Sequence, residues 1–150
     1  MITFTASVLI WLMFFGLIVF WVIDGKIKKE TVLHALFACL VAYLATEFIK
    51  YLFPTIRPFQ VSNIVPLTAT IPGDGAFPST HTAVAFALSV TILKHDKKVG
   101  ILYLIMAGIV GIARIFAHVH YPIDIIAGAL IGTIISRLTS SKHFDRLLNR

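Results

Sequence analysis

Charge is what this sequence most lacks. Asp, Glu, Lys and Arg make up 13% of the chain against 58% apolar residues, a balance far from that of soluble globular domains, and it points to a membrane protein. Residues 2–23 contain no charged side chain at all. A cleaved leader would need a basic region ahead of this run and small residues after it; both are missing, so 2–23 is expected to remain as a transmembrane helix. Cysteine is nearly absent too: Cys39 stands alone in an apolar run, which excludes an internal disulfide. Acidic residues are scarce, 7 against 13 Lys and Arg, for a net charge of +6. In a soluble domain that excess would suggest nucleic acid. Here the basic residues fall in short loops, where the positive-inside rule accounts for them, and no nucleic-acid partner is expected.

The apolar runs set the architecture. At about 20 residues per crossing plus short turns, the chain holds about five spans and no second soluble domain. The pattern predicts spans over 2–23, 31–53, 79–93, 99–117 and 122–138, a single all-α integral membrane bundle. Polar turns are read at 24–30 (DGKIKKE) and 94–98 (KHDKK), and a basic tail at 140–150. Between 54 and 78, Pro54, Pro58, Pro66, Pro72, Gly73 and Gly75 cut the chain into pieces too short to cross, so this stretch is expected to lie on the outer membrane surface. The span over 79–93 is short for a full crossing, and its first turn is expected below that surface. Of the 13 Lys and Arg, all but Lys50, Arg57 and Arg114 fall on one side of this arrangement. That side is therefore read as cytoplasmic, with the carboxyl terminus inside and the amino terminus outside. The three exceptions share the outer level, which suggests another task for them.

That level also gathers Glu47, Asp74, Ser79, His81, His118, His120 and Asp124. Three cations beside three histidines describe a site for a highly charged anion, because guanidinium forks match phosphate oxygens and neutralise developing charge. With Ser79 as the N-cap of its helix, the amides of Thr80, His81 and Thr82 are donors facing an anion. Two histidines can divide a group transfer, one attacking phosphorus and the other protonating the departing oxygen. Asp124 follows Pro122, a residue favoured at the first helical position, so its carboxylate can reach back to His120 and fix its tautomer.

At these residues the sequence resembles the type 2 phosphatidic acid phosphatase (PAP2) superfamily, which shares its site architecture with vanadium haloperoxidases. The first block is Lys50, then Arg57 and Pro58; the second is Pro78, Ser79, Thr80 and His81; the third is Ala113 and Arg114, then His120, then Asp124. Three blocks in order at matching spacing, from Lys50 to Asp124, are far more specific than any one of them. The resemblance implies His120 as the nucleophile that forms a phosphohistidine, Asp124 as its orienting partner and His81 as the acid for the leaving group. It implies Lys50, Arg57, Ser79, Thr80 and Arg114 around the phosphate, with no metal and no cofactor. Two departures stand out: Ala113 replaces the family's serine, and Thr80 replaces its glycine. Family members commonly have six spans, so the fold implied here lacks the first helix.

The resemblance implies a phosphatase acting at the outer face on the terminal phosphate of a lipid phosphate or diphosphate. The run HYPIDIIAGALIG is similar to bacterial undecaprenyl diphosphatases, which makes polyprenyl diphosphate the expected substrate and a bacterial cell membrane the expected location. Phosphatidic acid, phosphatidylglycerol phosphate and lipid A phosphates are alternatives. Other classes are a vanadate-dependent oxidant enzyme and a non-catalytic lipid-binding protein. A purely structural polar network would not require this spacing. His118 is expected as an exposed loop residue, and a metal site from His118, His120 and Asp124 is disfavoured by the cations beside it. Glu47 is expected to pair with Lys50, and Asp74 to be a turn residue. Gly128 with Gly132, and Ala107 with Gly111, have the spacing of close helix packing.

Overall fold

A computed structural model describes residues 2–22 and 29–139 of the protein. Most of the first polar turn and the basic tail lie outside the described residues, and with them Lys26, Lys28, Lys142, Arg146 and Arg150 of the charge distribution. Among the described residues there are helices and no strands: α1 (Ile2–Ser7), α2 (Leu9–Val22), α3 (Lys29–Leu52), α4 (Pro58–Ser62), α5 (Thr80–His95), α6 (Lys97–Phe116) and α7 (Pro122–Thr139).

α3, α6 and α7 are each long and apolar enough to cross a membrane. α2, with 14 residues, and α5, with 16, are shorter. Large apolar side chains such as Trp11, Phe15, Leu40, Phe48, Ile105 and Leu130 point outward, so the bundle is sheathed in hydrocarbon rather than polar groups. These features make it an integral membrane protein.

α5 is the hub, packing on α3, α6 and α7. Its small residues make this possible: Ala83, Ala85, Ala87 and Ser89 are fully buried, so neighbouring backbones come close. The glycines of α7 complete the fit. A β-carbon on Gly132 would sit 2.1 Å from the Ala83 carbonyl oxygen, and one on Gly128 2.6 Å from that of Ser79. Leu17 and Met13 of α2, Ala38 of α3, Leu88 of α5 and Tyr103 of α6 share the same core.

The first apolar run is not one uninterrupted helix. It breaks at Val8, between α1 and α2. Beside the break, Arg114 Nη1 donates to the Ala6 carbonyl oxygen at 3.1 Å, and a side-chain donor drawn to a helix ladder is a recognised cause of bending. The surface stretch likewise contains one short helix, α4, with Pro58 at its start and Arg57 as its N-cap.

Candidate active site

Helix ends bring the three blocks together. Lys50 is in the last turn of α3, Arg57 caps α4, Thr80 and His81 open α5, Arg114 ends α6, and His120 precedes α7. All six line one cavity of about 520 Å³, together with Glu47, Asp74, Ser7, Trp11 and Tyr43. Ser79 and Asp124 are buried behind its wall. His118, with φ of 59°, is exposed and does not line it, and among the described residues no three His, Cys, Asp or Glu side chains converge as metal ligands.

His120 sits between opposed charges. Its Nδ1 is 3.4 Å from Asp124 Oδ2, and that same oxygen accepts the Tyr121 amide at 2.8 Å, which ties the carboxylate to the start of α7. The carboxylate accepts the Nδ1 proton, so Nε2 carries the lone pair; it lies 3.4 Å from Arg57 Nη1. Burial pushes the His120 pKa down to about 4, and Arg114 and Arg57 add to that, while the Asp124 hydrogen bond works the other way. The imidazole is thus neutral at physiological pH, with Nε2 able to attack an electrophile.

Arg57 is almost fully buried and held mainly by backbone. Its Nε donates to the Asp74 carbonyl oxygen (2.9 Å), Nη1 to that of Val119 (2.9 Å) and Nη2 to that of Gly75 (3.1 Å). Nη2 also pairs with Asp74 Oδ1 at 2.9 Å. Lys50 pairs with Glu47 at 3.3 Å, as its spacing predicts, and with the second oxygen of Asp74. Burial alone would raise the Asp74 pKa, but Lys50 and Arg57 overcome it and hold the carboxyl down to about 2. Arg114 is different: Nη1 reaches Ala6, but its buried Nε has no hydrogen-bond partner among the described residues.

The two departures from the family pattern are accommodated. Ala113 is buried and packs with Ala6, Ala117 and Val119. The Thr80 hydroxyl donates to Glu47 Oε1 at 2.9 Å, linking α5 to α3 and bracing the carboxylate that holds Lys50. Ser79 is the N-cap of α5, but its Oγ accepts from Thr82 Oγ1 at 3.0 Å inside the bundle, while its amide donates to the Asp124 carbonyl oxygen at 3.1 Å. Asp74, read from sequence as a turn residue, lies at a bend and is also an ion-pair partner of both first-block cations. Its place between two glycines gave no hint of this.

A second cavity adjoins the first. It is an apolar groove of about 370 Å³ lined by Ile10 and Phe14 of α2 and Leu36, Cys39 and Leu40 of α3, and it shares Trp11, Tyr43, Thr80 and His81 with the polar cavity.

Comparison with known proteins places this geometry in context. The chain is 34% identical over 131 residues to the bacitracin transport permease protein BcrC of Bacillus licheniformis, covering 87% of this chain and 64% of that protein. It is 36% identical over 101 residues to an undecaprenyl-diphosphatase of Sulfolobus acidocaldarius, covering 67% of this chain and 49% of that one. The chain thus spans about half to two thirds of the length of these relatives. The crystal structure of Aquifex aeolicus LpxE superposes with a TM-score of 0.72 at 27% identity, over 87% of this chain and 80% of that one. A match to the PAP2 superfamily extends over residues 31–147, all three blocks included, and the chain belongs to that superfamily.

Proposed function

We propose that the protein is a lipid phosphatase that removes a terminal phosphate through a phosphohistidine on His120, with polyprenyl diphosphate as substrate. The observation that carries this reading is the pairing of His120 Nδ1 with buried Asp124 while Nε2 shares a cavity with Lys50, Arg57, Arg114 and His81. In the proposed reaction Nε2 attacks phosphorus as the bond to the leaving oxygen breaks, and His81 gives that oxygen a proton. Asp124 supports the positive charge that develops on the imidazole. Arg114, whose Nε is unpaired among the described residues, and the two first-block cations stabilise the charge on the phosphoryl oxygens. Water then cleaves the phosphorus–nitrogen bond, with His81 as the base.

The lipid nature of the substrate is supported by the apolar groove that meets the polar cavity at Trp11 and Tyr43. A head group in the cations and a hydrocarbon chain in the groove satisfy both surfaces at once. Polyprenyl diphosphate in particular is supported by the likeness to the Sulfolobus undecaprenyl-diphosphatase. The site faces outside, the amino terminus is outside and the carboxyl terminus is cytoplasmic; the distribution of Lys and Arg supports this orientation. A helix of 16 residues, as α5 is, extends roughly 24 Å, short of the roughly 30 Å hydrocarbon core, which supports a site set at head-group depth.

Phosphate release from polyprenyl diphosphate, phosphatidic acid and phosphatidylglycerol phosphate in detergent tests the reading. Polyprenyl diphosphate is expected to be the best substrate, and His120→Ala to release none. Preference for another member of the panel would reassign the substrate, and equal release by wild type and His120→Ala would remove the nucleophile assignment.

A further inference from the structure

The first-block cations already hold an anion supplied by the chain itself. We propose that the Asp74 carboxylate occupies the phosphate position between Lys50 and Arg57, and that substrate binds by exchanging its phosphate for this carboxylate. The inference rests on the phosphate-site reading above and adds a residue to which that reading gives no role.

A count of donors carries it. Arg57 has five N–H groups. Three go to the backbone carbonyls of Asp74, Val119 and Gly75, which fix the guanidinium plane. One Nη1 proton faces His120 Nε2 and the last Nη2 proton goes to Asp74 Oδ1. No donor of Arg57 is left for a phosphate oxygen while that carboxylate stays. Lys50 is held separately by Glu47, which Thr80 braces. Both cations therefore keep their places without the Asp74 side chain. What the carboxylate supplies is neutralisation, since buried cations without an anion are costly.

Asp74 is also the partner best able to leave. Its side chain is 43% exposed, against 7% for Lys50 and 1% for Arg57. A β-carbon on Gly73 would meet nothing within 4 Å, so there is space on that side of the loop. On the other side, Ala76 and Phe77 amides are fastened to Thr55, which keeps the Gly75 carbonyl on Arg57. Rotation of one side chain is enough to vacate the site. A dianionic terminal phosphate, with more charge and more acceptor oxygens than a carboxylate, wins this exchange; a monoanionic phosphodiester lacks the charge advantage. Asp74 is thus a specificity-determining residue that favours terminal phosphates.

Binding of inorganic phosphate to the full chain in detergent, followed by calorimetry, tests the exchange. Asp74→Asn and Asp74→Ser are expected to bind phosphate about tenfold more tightly than wild type, the scale of one competing charge-assisted hydrogen bond. Both are also expected to lower KM for the lipid substrate. Unchanged or weaker phosphate binding in both variants, with their thermal unfolding like that of wild type, would overturn the exchange and leave Asp74 as a fixed brace. If Arg57→Gln and Arg114→Gln both bind phosphate as wild type does, the cavity is not the anion site, and the underlying reading falls instead.

Discussion

His120 is tuned by neighbours that pull in opposite directions. Burial, Arg114 and Arg57 push its pKa down, and Asp124 pulls it up, with a net value of about 4. Removing a cation should therefore raise the value and removing the carboxylate should lower it. In NMR titrations of ring-labelled protein, Arg57→Gln and Arg114→Gln are expected to move the His120 midpoint upward from about 4, and Asp124→Asn to move it further down. A midpoint unmoved by all three would contradict the geometry. Arg57→Lys keeps the charge but loses the planar fork that meets three carbonyls, so turnover is expected to fall on the order of a hundredfold while the fold persists. At this scale the sequence was most legible where chemistry repeats a spaced pattern: Lys50, Arg57, His81, Arg114 and His120 share the cavity. Asp74 was illegible because its partners lie 24 and 17 positions away, and only the path of the surface stretch brings them together.

The pairing of α5 with α7 positions the site. Gly128 and Gly132 let α7 approach until the Asp124 carbonyl oxygen accepts the Ser79 amide, which sets the start of α5 against the start of α7. A side chain at Gly132 would collide with backbone, not with a rotamer that can step aside. Gly132→Val is expected to destabilise the protein by about 1–3 kcal/mol, read as a lower thermal unfolding temperature in detergent. Gly132→Ala should show the same direction with a smaller loss; unfolding unchanged in both would refute the close approach. The small-residue spacing that fixes this contact was visible in the sequence. The break at Val8 was not, because its neighbour Arg114 arrives from a helix more than a hundred residues later. Nor was the inward turn of Ser79 Oγ, which is set by Thr82 and tight packing rather than by capping preference.

Taken whole, the molecule places a cationic cavity and an apolar groove side by side in a bundle sheathed in hydrocarbon. The composition already told of a membrane bundle; the adjacency of the two cavities was beyond it, because α2 and α3 contribute residues with no motif. Orientation can be read with an impermeant thiol reagent in a Cys39→Ala background. Val65→Cys, exposed in the surface stretch, should label from outside, and Lys97→Cys should not. The reverse pattern would invert the proposed topology. The most direct test of the central proposal is to mix the protein with polyprenyl diphosphate carrying radioactive terminal phosphate, quench in alkali within the first turnover, and locate the label by peptide mapping. The expected result is label on His120, absent from His120→Ala. Label on another residue, or rapid turnover with no labelled protein at any time, would contradict it.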